Sequence, residues 1–320
     1  MTPFLRQQNV RVAIAFAMVY IFWGSTYLGI RIAVEEMAPF VMGAWRFLLG
    51  GGLMLAWCAW RGIPIGINRN NAWRLALIGV LLLTGGNMGV AYAEKYIPSG
   101  LASLIVAIVP IWVAVVEGLI LRLDRLNLRG WLGLAVGFSG LGVLFWPKIT
   151  SGSSLGNAQL VACVVLTLAS LSWSIGSIAS RHWKLGLGPL AATGWEMTVA
   201  GAMNLLLSIA TGDLQKAHIT GRGAAAVLYL MVFGSWVGLT AYIWLLDHVP
   251  TPKVATYAYV NPIVAIFLGW LIANEKIDAY IIAGSIFIIG GVALVTTAKI
   301  KAAAKSPAAV QPLPACEAEA

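Results

Sequence analysis

"TPKVATYAYVNPIVAIFLGWLI", residues Thr251 to Ile272, reads as one long apolar helix with a proline at its centre. Lys253, Tyr257 and Tyr259 dot its first half, and Asn261-Pro262 interrupts it. A proline inside a helix removes a backbone hydrogen bond and crowds the preceding turn, which costs about 3 kcal/mol in a soluble helix. In a bilayer the freed carbonyl must face protein or a wet cavity, because hydrocarbon offers it no partner. The stretch therefore predicts a membrane helix that bends at Pro262 around a partly hydrated space.

Composition agrees with a membrane setting. Of the 320 residues 60% are hydrophobic and only 10% charged, with a mean hydropathy of +0.85, whereas a soluble domain carries roughly 25% charge. A hydrocarbon core about 30 Å thick needs roughly 20 apolar residues of helix. Ten such segments follow one another, at about 12–31, 39–60, 72–93, 98–121, 129–146, 156–179, 189–210, 223–246, 250–273 and 278–298. The loops between them leave no room for a separate soluble domain, so the expected fold is all-α, integral to the membrane, with ten transmembrane helices.

Arg6 and Arg11 precede the first apolar run as they would in a secretory signal, but the run is too long and nine spans follow, so it is expected to stay in the mature protein. Cys58, Cys163 and Cys316 have no metal or redox spacing and read as packing residues. The tail "KAAAKSPAAVQPLPACEAEA" lacks apolar periodicity, and residues 299–320 are expected to be a disordered cytoplasmic segment. The net charge of +9 forms no patch that would suit nucleic acid. Of the 21 Lys and Arg, fourteen fall on the side of the N-terminus and six on the other, with Arg46 inside a span. By the positive-inside rule both termini are then cytoplasmic.

The chain also repeats itself. Trp23 and Trp173, Pro39 and Pro189, Trp45 and Trp195, and Gly51 and Gly201 pair at an offset of 150 residues. Pro98 and Pro250, and Pro110 and Pro262, pair at 152, while Gly133 and Gly284, and Gly140 and Gly291, pair at 151. The chain thus divides into a short N-terminus (1–11), a first five-helix repeat (12–148), a second (149–298) and the tail (299–320). An odd number of spans per copy inverts the second copy in the bilayer. Inverted repeats characterise secondary transporters, whose site lies near the midplane between the halves. Pro110 and Pro262 hold matching places in the fourth and ninth spans, which marks them as paired hinges.

Three segments carry a family resemblance. "FWGSTYLGIRIAVEEMAPFVMGAWRFLLGG" (Phe22 to Gly51), "IPSGLASLIVAIVPIWVA" (Ile97 to Ala114) and "VATYAYVNPIVAIFLGWLIANE" (Val254 to Glu275) resemble the EamA family of the drug/metabolite transporter superfamily. The resemblance covers both halves, roughly residues 12 to 298. It implies a bacterial inner-membrane exporter of metabolites, with amino acids, aromatic ones included, among the substrate classes.

Ionisable groups inside spans are costly and point to function. Arg46 lies about seven residues into the second span and its repeat partner Glu196 equally far into the seventh, each roughly 10 Å deep. Such a pair suits a zwitterion, the guanidinium holding its carboxylate and Glu196 its ammonium; the competing reading is a structural role for either. Glu117, deep in the fourth span, and Glu94, at the end of the third, are candidates for carrying a coupling proton, although Glu94 beside Lys95 also reads as a solvated loop residue. Trp23 and Tyr27 share one helix face, as do Trp236 and Thr240, and Tyr257 and Asn261. These faces, with Trp112 and with Asn87 in a Gly-Gly-Asn stretch, complete the expected substrate-binding set. Trp60, Trp73, Trp131, Trp146 and Trp183 read as interface anchors. Spans one, three, four, six, eight and nine should form the cavity walls, with five and ten behind them or against a partner.

The rival class is an integral-membrane enzyme acting on a lipid or small apolar substrate. His182, His218 and His248 fall in loops or at span ends, and no spacing offers metal ligands. No phosphate-binding loop for ATP is present. "GLGPLA" at Gly186 formally matches a dinucleotide fingerprint but has no strand before it. The reading is a non-enzymatic transporter with no cofactor and no metal, whose partners are a small-molecule substrate and the bilayer, as a monomer or weak homodimer.

Overall fold

The computed structural model describes residues 3–117, 127–150, 157–183, 185–249 and 251–305. Among them there is no strand, and the chain runs through ten successive helical segments. Span 1 comprises Pro3–Met18, a π-helical Val19–Trp23 and Gly24–Glu36. Span 2 is Pro39–Trp60, and span 3 comprises Arg69–Gly79, a π-helical Val80–Asn87 and Met88–Ala93. Span 4 is split into Ser99–Val106 and Val109–Val115, and span 5 is Leu128–Thr150. Spans 6 and 7 are Asn157–His182 and Pro189–Ala210. Span 8 comprises Gly221–Tyr229, a π-helical Leu230–Leu239 and Thr240–His248. Span 9 is split into Thr251–Val254 and Tyr257–Ala273, and span 10 is Ala279–Lys305.

Five of these, spans 1, 2, 3, 6 and 8, are long and apolar enough on their own to cross a bilayer. The others owe their place to the bundle. Spans 4 and 9 are broken, and span 7 turns Thr193, Glu196, Asn204 and Ser208 away from lipid into protein. Span 10 continues as helix through Lys305, past the expected end at 298, because "KIKAAAK" is strongly helix-forming and needs no membrane around it. Residues 306–320, most of the expected tail, lie outside the described residues.

Repeat partners meet. The most extensive helix pairings are span 2 with span 7 and span 5 with span 10. Glycine permits both crossings. A carbon added at Gly51 would lie 2.6 Å from the Thr198 nitrogen, and one added at Gly201 would lie 2.9 Å from the Phe47 carbonyl carbon. Trp23 and Trp173 touch edge to face with centroids 5.4 Å apart. The apolar core is correspondingly in the middle of the bundle, while Trp60, Trp73, Trp131 and Trp146 stay exposed at helix ends.

The two prolines sit differently. Pro110 is in the first turn of the restarted half of span 4, where its missing N–H has no partner to lose. Pro262 lies inside the restarted half of span 9, so there a carbonyl is left free. The interruption itself precedes each proline, at Ala107-Ile108 in span 4 and at Ala255-Thr256 in span 9. Span 1 holds the second break, with the Tyr20 hydroxyl 2.7 Å from Thr256 Oγ1.

Glu275 secures the start of span 4 from the connection between spans 9 and 10. Its Oε1 accepts from the Ser99 backbone N–H and hydroxyl, both at 2.8 Å, and its Oε2 from the Gly100 N–H at 3.1 Å. Asn274, left-handed at φ 53°, ends span 9 so that the carboxylate can reach across. Glu275→Ala leaves helix N-terminal donors unpaired and is expected to destabilise the protein by about 1–3 kcal/mol. A thermal melt in detergent, with Glu275→Gln as the partly rescuing variant, checks this; an unchanged melt for the alanine variant would remove the role.

Candidate functional site

A partly enclosed cavity lies where the halves meet, lined from spans 1, 2, 3, 4, 6, 8 and 9. These are the six expected walls plus span 2, which enters through Arg46. About 660 Å³ there, part of it open to the outside, is free of protein atoms, and the centre of a water-sized sphere has about 70 Å³. At roughly 10–15 Å³ of such space per molecule, that is room for about five waters.

One wall is aromatic. Trp23 donates its indole N–H to the Gly234 carbonyl at 3.0 Å, and its ring meets Trp173 and Tyr257 edge to face and Tyr242 at 4.8 Å. Such edge contacts fix ring orientation and leave faces free for a ligand. Behind them the Tyr242 hydroxyl donates to Ser177 Oγ at 2.8 Å. The Trp173 indole N–H is buried beside the Tyr242 and Tyr257 hydroxyls in a geometry too poor for a hydrogen bond.

The opposite wall is polar. Arg46, 3% exposed, donates from Nε to Ser235 Oγ at 2.9 Å and from Nη1 to Asn87 Oδ1 at 3.1 Å. No described residue bonds its Nη2. No Asp or Glu is among the described lining residues, so Arg46 sets the sign of the cavity's charge. Asn261, beside the span 9 proline, is 2% exposed and its Oδ1 accepts no hydrogen bond. A buried acceptor without a partner is rare enough to need a reason, and a bound solute or water is one.

Of the residues expected at the site, Trp23, Tyr27, Arg46, Asn87, Tyr257 and Asn261 line the cavity. Trp236 and Thr240 do not. They line a separate apolar groove between spans 1, 7 and 8, and Trp236 donates to the Gly50 carbonyl at 2.9 Å. The two do share a face, but Leu230–Leu239 is wound as a wider π-helix, and that face is turned away from the cavity. Ser235, not Trp236, therefore faces inward. Trp112 packs edge to face on Phe138 of span 5.

Glu196 is not paired with Arg46 and is absent from the cavity wall. It is 1% exposed, its Oε2 has no partner, and the charge that reaches it is that of Asp247. An inverted repeat puts equal depths at opposite faces, which separates the two. Glu117 is buried near the far end of span 4, away from the lining. Glu94 corrects the solvated-loop alternative, being 0% exposed.

Sequence reasoning missed Trp173, Thr26, Ser170 and Ser235 as lining residues. Trp173 had a signal, since it is the repeat partner of Trp23. The π-helical turns had a weaker one, in the glycines of "TGGN" (84–87) and "FGSWVG" (233–238). The π segments of spans 1, 3 and 8 each contribute to the cavity wall, a placement typical of such turns at functional sites.

The two ends of the bundle share a further device. Arg31 of span 1 donates from Nη1 to the Glu94 carbonyl at the end of span 3. Its repeat partner Arg181 of span 6 donates from Nη1 to the carbonyls of Leu246 at 3.0 Å and Val249 at 2.8 Å, at the end of span 8. A cation on the last carbonyls of a helix is favourable at both places.

Ten helices in two related halves, packed around a cavity with one buried cation, define an integral membrane transporter fold. The chain belongs to the EamA-like transporter family, whose model matches residues 11–146 and 160–297. It is 36% identical over 287 residues to the "uncharacterized inner membrane transporter YedA" of Escherichia coli (strain K12), covering 89% of this chain and 90% of that one. An "uncharacterized transporter", YoaV of Bacillus subtilis (strain 168), is 22% identical over 88% of this chain and 96% of its own. A solved crystal structure of a protein 18% identical in sequence superposes with a TM-score of 0.67, covering 91% of this chain and 98% of that one. The family and its relatives make this protein a membrane transporter of small solutes.

Proposed function

We propose that this protein exports small amino acids across the bacterial inner membrane by alternating access, with both termini in the cytoplasm. The observation that carries the reading is the pairing, within one cavity, of a buried cation with an unsatisfied acceptor and aromatic faces. Arg46 would hold the solute's carboxylate, with the Trp173 N–H as a second donor. Asn261 Oδ1 and the faces of Trp23 and Tyr257 would take its ammonium by hydrogen bond and cation–π contact. Glu196 is no longer needed for this. Room for about five waters suits a small side chain; aromatic amino acids enter only if the cavity widens as it opens.

The reading is tested in proteoliposomes loaded with a mixture of amino acids and with matched carboxylates and amines lacking the other charge. Unmodified zwitterions should leave faster than either control. Equal rates for all three groups would refute the amino-acid assignment, and chemically altered solute would favour an enzyme.

A further inference from the structure

The arginine clamp is duplicated, but the residue it holds is not. At one end the clamped carbonyl belongs to Leu246, whose apolar side chain is 2% exposed in the main core cluster. At the other it belongs to Glu94, the position 152 residues earlier. The same fold element thus buries an aliphatic group in one repeat and a carboxyl group in the other. Glu94 is 0% exposed, and neither of its oxygens has a hydrogen-bond partner.

Burial and the like charge of Glu275 outweigh the one opposite charge that favours an ionised Glu94, that of Arg31. Span 1 brings Arg31, Tyr27 and Glu35. Arg31 is engaged by the Glu94 backbone through Nη1 and by Glu35 at 3.2 Å through Nε, and it donates to neither carboxyl oxygen of Glu94. Glu275, of the same sign and held by the start of span 4, acts on Glu94 more strongly than the opposite charge of Arg31 does. Span 6 contributes Cys163 to the apolar cluster that includes Ala93 and Ile97. Lys95, adjacent in sequence, is exposed. The described residues of spans 2 and 4 bring no Asp, Glu, His or Lys to this end. Tyr27 lines the cavity and feels the charge of Glu94, which places the carboxyl just beyond the cavity wall.

A carboxylate taken out of water with no donor is strongly disfavoured, whereas its protonated form is tolerated. We propose that Glu94 is a proton-binding site that takes up one proton from adjoining water as the Arg31 clamp closes and returns it as that end opens. One O–H bond forms on the carboxyl and one breaks in hydronium, so no other reactant is needed. The closed form holds the proton more tightly than the open form. Closure at this end is therefore favoured at low pH and progressively lost as pH rises, while the Leu246 end has no such dependence. The inference rests on the transport reading only in treating the motion as part of a cycle.

Infrared spectroscopy of the full chain in lipid nanodiscs tests the site directly. The wild-type protein should show a protonated-carboxyl stretch at neutral pH that is missing from Glu94→Gln and Glu94→Leu. Hydrogen–deuterium exchange, corrected for intrinsic rates, should rise with pH in the segment joining spans 3 and 4 of the wild type and stay flat in both variants. The leucine variant copies the other repeat, so it is expected to fold. A carboxyl band unchanged in Glu94→Gln, or exchange that climbs equally in the variants, would overturn the proposal. Neither readout needs a substrate, so failure of amino-acid efflux leaves this result standing or falling by itself.

Discussion

Replacing Arg46 with glutamine is expected to weaken amino-acid binding about tenfold to hundredfold and to stop export at low substrate concentration. A hydrogen bond to a charged group is worth about 1.5–3 kcal/mol, and each 1.4 kcal/mol is a factor of ten in affinity. The loss should fall on binding and not on folding, because Asn87 and Ser235 remain beside a polar side chain of similar reach. Arg46→Lys keeps the charge but loses the fork that reaches both neighbours, so it should lie between the two. Glu196→Gln is the informative companion. Placed outside the cavity wall, it should bind as the wild type does. Calorimetric titration of the purified variants decides the matter. Wild-type affinity in Arg46→Gln would reduce the arginine to a structural residue, and equal losses in both variants would restore the zwitterion bridge that the geometry disfavours.

The second large effect concerns neighbouring glycines of span 10. A methyl on Gly291 would lie 2.6 Å from the Gly137 Cα and 2.7 Å from the Gly133 carbonyl oxygen of span 5. Both obstacles are backbone, so relief requires the helices to move apart. Gly291→Ala is expected to cost about 1–3 kcal/mol by overpacking, and Gly291→Leu to yield little folded protein. A methyl on Gly290 would meet nothing within 4 Å, and there alanine should be neutral or add up to about 1 kcal/mol through helix propensity. Melting temperature and gel-filtration profile in detergent separate the two. Equal behaviour of the neighbours would mean that spans 5 and 10 do not pack closely.

Much of this architecture is legible in the residues, for physical reasons. A bilayer leaves hydropathy and span length little freedom, so segment counting finds the ten helices. The constant offset also pairs Trp23 with Trp173 and Gly140 with Gly291, which identifies helices that touch. Orientation around each helix is less legible. Trp236 and Thr240 are four residues apart, yet a π-helical turn rotates them away from the cavity and turns Ser235 in. Glu94 beside Lys95 looks like a loop, because the groups that act on it, Arg31 and Glu275, are distant in sequence. Glu275 falls between the ninth and tenth expected spans, and only tertiary structure reveals the helix start it caps.

The interruptions of spans 4 and 9 fall at Ala107-Ile108 and Ala255-Thr256. These are 148 residues apart, whereas the prolines following them are separated by 152, a mismatch of about one helical turn. If the two halves swing as proposed, they would do so on levers of unequal length. Under the proposed alternating access, inward-facing and outward-facing forms would then differ in energy before any solute or voltage acts, and the empty carrier is expected to rest with one mouth preferred. Cysteine-labelling rates from either side of the bilayer would read that bias as an unequal ratio.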